Sequence, residues 1–72
     1  MSAGAGRLPD VGTLVIDTVR DRIGTFQTVI DGEAWLRPVG GGYEWSVKVG
    51  LMRRATRDER LKAERRARRR DG

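Results

Sequence analysis

The sequence predicts a mainly β fold: a small antiparallel barrel or curled sheet of four to five strands, followed by a C-terminal cationic α-helix. Short segments rich in β-branched and aromatic residues recur between residues 11 and 49. Turn signals that contain Gly separate these segments. After residue 52 the composition changes to Arg, Lys, Glu and Ala, with no Gly or Pro before Gly72, which is typical of a helix. The predicted organisation is a flexible N-terminus (1–10), a small β-barrel (11–52) and a basic helical tail (53–72).

The first two predicted strands are VGTLVIDTV, residues 11–19, and GTFQTVID, residues 24–31. The centre of the first strand, LVI, is apolar on both faces, so both faces are expected to be covered. Strict alternation in the second strand places three side chains on one face: Phe26, Thr28 and Ile30. The Asp31-Gly32 dipeptide that follows favours a two-residue hairpin loop, because both central positions of that loop need positive φ.

The third and fourth predicted strands are AWLRPV, residues 34–39, and YEWSVKV, residues 43–49. The fourth strand shows the period-2 pattern of a half-buried strand, with Tyr43, Trp45, Val47 and Val49 on one face. Three glycines, GGG, separate the two strands. Since no helix and no Lys-Ser/Thr pair follow these glycines, they predict a hairpin tip and not a phosphate-binding loop.

Two registers are open to the hairpin formed by the third and fourth strands. If paired residue numbers sum to 81, Leu36 faces Trp45 in the core and Arg37 faces Glu44 outside, which leaves Trp35 on the outer surface. If the numbers sum to 82, Trp35 lies inside, but Arg37 moves onto the core face. The first register is preferred, because an unpaired Arg in so small a core is costly. It makes Trp45 a core residue and Trp35 a surface aromatic, unless Trp35 packs under the tail helix or a terminal loop.

The tail carries most of the charge. Residues 1–52 hold five basic and six acidic side chains, net −1, whereas residues 53–72 hold ten basic and four acidic ones, net +6. Thr56 is a candidate N-cap, and Glu59 completes a capping box. The helix has little apolar surface to bury, and we expect its first turns to dock through Leu51, Met52 and Leu61.

Clustered arginines of this kind contact phosphates and release counterions, which gives salt-dependent affinity for nucleic acid. The predicted nucleic-acid-binding residues are Arg53, Arg54, Arg57, Arg60, Arg65, Arg66, Arg68, Arg69 and Arg70. The alternative is a solvated charged helix that serves solubility. Binding to a membrane surface fits less well, because no apolar face lies opposite the charge.

The composition argues against catalysis and against metal or cofactor binding. The chain has no Cys and no His, which removes the commonest general base, the commonest metal ligand and thiolate metal sites. Four carboxylates are interpreted as turn formers and solubilising charges: Asp17, Asp21, Asp31 and Glu33. No small-molecule substrate, cofactor or metal is therefore expected. The absence of cysteine, of a signal-peptide pattern and of a long apolar run favours a cytoplasmic protein.

The segment VGTLVIDTVRDRIGTFQTVIDG resembles the opening of SH3-like small barrels, including the KOW type found in ribosomal proteins and transcription elongation factors. The matching residues are Gly12, Val15, Asp17, Arg22, Gly24 and Phe26. Residues 11–52 also resemble short actinobacterial proteins of this layout, which continue into LRPVGGGxEW and a charged helical tail. KOW modules bind RNA or protein, so the resemblance implies an SH3-like barrel with one of those partners.

These observations lead to two function hypotheses. The first is a non-enzymatic accessory protein that binds nucleic acid, DNA or RNA, through its tail, with Trp35 and Arg37 adding a stacking or second contact. The second is a protein–protein adaptor, in which the barrel docks a partner through Trp35 and an open strand edge. In that case the tail helix folds on an acidic protein.

Overall fold

The computed structural model describes residues 8–71, with side chains described through Arg68. Five antiparallel strands form one sheet in the order β4-β3-β2-β1-β5. The strands are β1 (Leu14–Asp17), β2 (Arg22–Ile30), β3 (Glu33–Pro38), β4 (Trp45–Lys48) and β5 (Met52–Arg54). A 3-10 turn (Val49–Leu51) joins β4 to β5, and helix α1 spans Arg57–Asp71. The mainly β class and the C-terminal helix are confirmed, but the sheet is open, because β4 and β5 form its two edges.

The β2–β3 hairpin has the predicted two-residue turn. Ile30 pairs with Glu33, and both Asp31 (φ 50°) and Gly32 (φ 78°) adopt positive φ. A register shift between Phe26 and Thr28 breaks the alternation that the sequence predicts for β2. After this bulge Val29 packs against the core, whereas Ile30 is exposed. The prediction that Phe26, Thr28 and Ile30 share one face is therefore wrong, because a bulge exchanges the two faces of a strand.

The β3–β4 hairpin has the preferred register. Leu36 pairs with Trp45 and Trp35 with Ser46, so that paired residue numbers sum to 81. Just beyond the paired residues, the Arg37 guanidinium lies 3.0 Å from the Glu44 carboxylate, as predicted. The predicted strand is too long at its start, however. Tyr43 precedes β4 and is 95% exposed, since the three glycines before it all have positive φ and delay the pairing.

The core lies on one face of the sheet, which is strongly curled. Its buried members come from four strands: Val15, Phe26, Ala34, Leu36 and Val47. In a flat sheet β4 and β1 would lie about 14 Å apart, which is three strand spacings. Yet the Trp45 indole of β4 donates a hydrogen bond of 2.8 Å to Asp17 of β1. The curl of the sheet therefore brings its first and fourth strands together over the core.

Strand β1 is covered on both faces, as its apolar centre predicts. Val15 is fully buried in the core, and Ile16, which points to the opposite face, is only 6% exposed. Ile23 of β2, which pairs with Ile16, lines a groove together with Ala63 of helix α1. The helix therefore meets the sheet at this groove.

Strand β5 has no clear signal in the sequence. Its three residues pair antiparallel with β1, with Arg54 opposite Val15 and Met52 opposite Asp17. The segment MRR has neither alternation nor high β propensity, so the strand forms because the backbone groups of the β1 edge need partners. As a result Arg53 and Arg54, which were placed in the helical tail, belong to the sheet.

Gly24 is the position where a single added methyl group is expected to disturb the core most directly. A Cβ there would lie 2.6 Å from the Trp45 ring and 2.8 Å from the Arg37 carbonyl oxygen. Gly24→Ala should lower the free energy of unfolding by about 1–3 kcal/mol through overpacking, with a changed Trp45 environment. Urea unfolding followed by tryptophan fluorescence measures both. Gly50→Ala is the matched control, since no atom lies within 4 Å of its added Cβ, and equal losses in the two variants would refute the packing assignment.

Candidate polyanion-binding surface

Helix α1 begins at the predicted capping box. The Glu59 backbone N–H donates to Thr56 Oγ1 at 3.2 Å, and the Thr56 N–H donates to Glu59 Oε1 at 2.8 Å. These reciprocal bonds satisfy two backbone donors at the helix start. The start of the helix is thus fixed by its own sequence.

Arg53 ties the helix to the sheet. Its guanidinium donates to both carboxylate oxygens of Glu59, each at 2.9 Å, in a bidentate ion pair. The Ala55 N–H also donates to the Leu14 carbonyl of β1 at 3.0 Å. Arg53 therefore holds the base of the helix, and its predicted contact with nucleic acid stays a prediction.

Small residues, and not the predicted leucines, are buried where the helix begins and along its inward side. Ala55 and Ala63 are buried, whereas Leu51 and Leu61 are 44% and 41% exposed. At about 100° per residue, Leu61 points roughly 160° away from Ala63. The docking prediction was wrong for these leucines because it considered only large apolar side chains. Alanine leaves room for a close approach of the helix backbone.

The side of α1 that faces solvent is cationic. Four basic residues point at least about 90° away from Ala63 and are exposed; we call them the outward cations: Arg57, Lys62, Arg65 and Arg68. Three ion pairs occur within the described part of the chain, and none of them engages an outward cation. Asp58 and Glu64 are interspersed on the same helix. The outward cations therefore form a surface suited to a polyanion.

The other predicted tail residues occupy different positions. Arg54 is exposed on β5, and Arg60 donates to the Ala55 carbonyl at 3.3 Å. Arg66 lines a groove beside the sheet. The side chains of Arg69 and Arg70 lie outside the described residues. The structure thus divides the predicted basic tail into an anchor, an outward surface and a groove.

Trp35, the predicted surface aromatic, is only partly exposed. Trp35 is half-buried on the outer face of the sheet, between Thr28 of β2 and Ser46 of β4. Arg37 donates to Glu44 through both Nε and Nη2, at 3.2 and 3.0 Å. That ion pair offsets the charge that Arg37 would offer to a phosphate. Tyr43 is a far more exposed aromatic, and the glycine run before it is the signal in the sequence that it lies on a loop.

Asp17 lies at the centre of a buried polar cluster that sequence reasoning missed. The carboxylate is fully buried and accepts hydrogen bonds from the Trp45 indole and from the backbone N–H groups of Val19 and Arg20. The Arg20 guanidinium completes the set at 3.0 Å. Asp17 does form a turn, but its interpretation as a solubilising charge is wrong. Burial alone raises the pKa of Asp17, but the donors from Arg20, Trp45 and Val19 outweigh it and hold the pKa below its usual range.

Trp45 links this cluster to a second arginine. The Arg22 guanidinium stacks over the Trp45 ring, 3.9 Å from its centroid. The same ring packs over Gly24, as the short approach to that residue shows. Trp45 is therefore a partly buried residue, held by Asp17 at its edge and covered by Arg22 on its face.

The Arg53–Glu59 anchor predicts a pH dependence of stability. The ion pair with Arg53, followed by the Thr56 N–H bond, lowers the pKa of Glu59 from 4.5 to about 2. The resulting stabilisation is present above pH 4.5 and is lost as the pH falls from about 4.5 to about 2. Glu59→Gln, which retains an acceptor for the capping box, should remove this part of the pH dependence. Thermal unfolding midpoints between pH 2 and 6 test it, with Glu64→Gln as the control. Identical profiles for wild type and Glu59→Gln would contradict the assignment.

Comparisons with protein-family models, with curated proteins and with solved structures find no match to this chain. Within the described residues no group of three or more acidic side chains is placed to hold a metal ion. In the same part of the chain no helix has the length and apolar character needed to cross a membrane. The assignment of function therefore depends on the chemistry of the surfaces described above.

Proposed function

We propose that this chain is a non-enzymatic, cytoplasmic accessory protein that binds nucleic acid through the basic surface of α1. The observation that carries the proposal is the set of outward cations, exposed on a helix whose base is fixed to the sheet. A fixed helix presents these charges together, so less conformational freedom is lost on binding than with an unstructured tail. The curled sheet acts as the carrier of the helix.

The chemistry of the surface favours phosphate over other anions. Three of the four outward cations are arginines, whose planar forks match the oxygen geometry of phosphate. Within the described residues the helix offers no exposed apolar face opposite its charges, because Ala63 on that side is buried. A membrane surface would need such an apolar face. We therefore assign a nucleic-acid backbone as the partner, without a preference for DNA or RNA.

We also propose that the curled sheet is an SH3-like barrel. The curl that brings Trp45 onto Asp17 supports an SH3-like barrel, in line with the resemblance of residues 11–32 to KOW modules and of residues 11–52 to short actinobacterial proteins. KOW modules bind RNA or protein. The outward cations favour a nucleic acid over a protein as the partner of this chain.

Binding measurements with three polyanions test the proposal. Labelled duplex DNA, single-stranded RNA and polyglutamate are titrated with the full chain near physiological salt, and binding is followed by fluorescence anisotropy. Binding to either nucleic acid, with polyglutamate much weaker, is the expected result. No binding to either nucleic acid, or equal affinity for polyglutamate, would refute the assignment.

A protein–protein adaptor is the second candidate, favoured by the edge strand β4. Among residues 8–71, β4 pairs as a strand with β3 alone. The Arg20 guanidinium lies 3.5 Å from the Ser46 carbonyl of β4, a long contact that an added strand would replace. Trp35 lies on the outer face beside it, opposite Ser46. Binding of a protein partner at this edge should depend little on salt and should be lost in Trp35→Ala. Nucleic-acid binding through α1 should show the opposite behaviour.

A further inference from the structure

A groove of about 270 Å³ lies between α1 and the end of the sheet where β2 begins. Its apolar walls come from Ile23, Pro38, Val39 and Ala63. Two arginines complete it, Arg22 from β2 and Arg66 from α1, and none of its lining residues among the side chains described, 8–68, is acidic. The sheet and the helix therefore join in a small basic groove.

Both arginines of the groove are available to an anion. The three ion pairs within residues 8–68 engage Arg20, Arg37 and Arg53, not Arg22 or Arg66. Arg22 is also held in place, because its guanidinium stacks on Trp45 at 3.9 Å. A stacked guanidinium keeps its in-plane N–H donors for another partner. Trp45 in turn is fixed by its bond to the buried Asp17.

We propose that this groove seats one phosphate of a nucleic-acid backbone between Arg22 and Arg66, with the adjoining sugar against the apolar wall. The inference rests on the proposed function and names a second contact for it. The volume of about 270 Å³ lies just below the roughly 300–1,000 Å³ of small-molecule sites, so it fits one nucleotide and not a large ligand. The sheet and the helix then bind the same strand, and Arg22 is a binding residue outside the basic tail.

The test compares Arg22→Gln and Arg66→Gln with the matched control Lys48→Gln. Lys48 lies at the opposite end of the sheet, beside Asp31, and the nine residues of β2 separate the two ends by roughly 26 Å. Each groove variant should weaken binding of duplex DNA about 3- to 10-fold and reduce the slope of log K against log salt by about 1, as loss of one phosphate contact does. Lys48→Gln should leave the slope unchanged. Slopes in the groove variants equal to that of Lys48→Gln would overturn the proposal.

Folding effects are separated by two further measurements. Arg22→Lys retains the charge and the long side chain, so it should bind better than Arg22→Gln if the groove holds a phosphate. Thermal unfolding of every variant shows whether the fold is intact. Arg66→Gln alters an exposed helix residue. Its salt slope therefore tests the groove even if Arg22→Gln unfolds.

The source of the phosphate is tested through Trp45. In the Trp35→Phe variant Trp45 is the only tryptophan, since the chain has two. Oligonucleotide should change its emission by shifting the stacked Arg22, and inorganic phosphate should do so only at far higher concentration. A response to inorganic phosphate alone would assign the groove to the free anion and overturn the proposal.

The binding results separate the failure of the groove assignment from the failure of the proposed function. If the wild type binds no nucleic acid at all, the proposed function fails. If the wild type binds nucleic acid and both groove variants keep its salt slope, only the groove assignment fails.

Discussion

Nucleic-acid binding near physiological salt is expected to fall about 100- to 1,000-fold when the four outward cations of α1 are changed together to Gln: Arg57, Lys62, Arg65 and Arg68. Each phosphate contact contributes about 0.9 to the slope of log K against log salt on duplex DNA. Four contacts near 0.15 M salt therefore account for roughly three powers of ten. Anisotropy titration with labelled duplex DNA measures the loss.

The fold should survive these four changes. The helix anchor (Arg53–Glu59) and the buried Ala63 are untouched, and glutamine is a good helix former. The control removes the opposite charges: Asp58→Asn with Glu64→Gln raises the net charge of the same helix and should strengthen binding. Unchanged affinity in the fourfold variant, with its circular dichroism intact, would show that the outward cations are not the binding surface.

Asp17→Ala is expected to lower the free energy of unfolding by about 3 kcal/mol. The carboxylate is fully buried and accepts four hydrogen bonds, including those from Trp45 and Arg20. Its removal leaves buried N–H donors without an acceptor, each costing roughly 1–3 kcal/mol before water enters. Scaled to this chain length, total stability is roughly 4–11 kcal/mol. One substitution therefore removes a large part of it.

Urea unfolding followed by tryptophan fluorescence measures this loss. Asp31→Asn is the control, because it removes one exposed negative charge and Asn also tolerates the positive φ of that position. Because the folded pKa of Asp17 is lowered, its stabilisation is present above the unfolded value and is lost as the pH falls through the folded pKa. That loss should be absent in Asp17→Ala. Equal stability of Asp17→Ala and Asp31→Asn would contradict the stabilising role of the buried Asp17 carboxylate.

The hairpins were predictable because their sequences contain mutually consistent signals. Asp31-Gly32 sets the loop of the first hairpin, and the opposite charges of Arg37 and Glu44 select the register of the second. The capping box at Thr56 likewise sets the start of α1. In each case a local pattern and its partner lie within about ten residues, where turn geometry limits the alternatives.

The features that the sequence did not reveal depend on contacts between distant residues. Asp17 is buried because Trp45, 28 residues later, returns over it through the curl of the sheet. Strand β5 forms because β1 has an open edge, and its own residues give no sign of it. Nothing in the local sequence distinguishes Asp17 from an exposed turn residue.

The candidate site was predictable in composition and not in geometry. The run of arginines identifies a basic tail, but the sequence does not show which arginines face solvent and which are held by other residues. The structure assigns Arg53 to an ion pair with Glu59 and places Arg66 beside Arg22 in a groove. The buried side of the helix at Ala63 could be found from the helical spacing of alanines, a signal that a search for large apolar residues overlooks.

The salt dependence of binding by the full chain tests the central claim most directly. Affinity for a labelled DNA duplex is measured by fluorescence anisotropy between 50 and 200 mM salt. With about four phosphates contacted by the outward cations, log K should fall with log salt at a slope of about −3.6, which is roughly a 100-fold loss over this range; contacts in the groove would steepen it. A slope near zero, or no binding at 50 mM salt, would contradict a polyanion-binding role for α1.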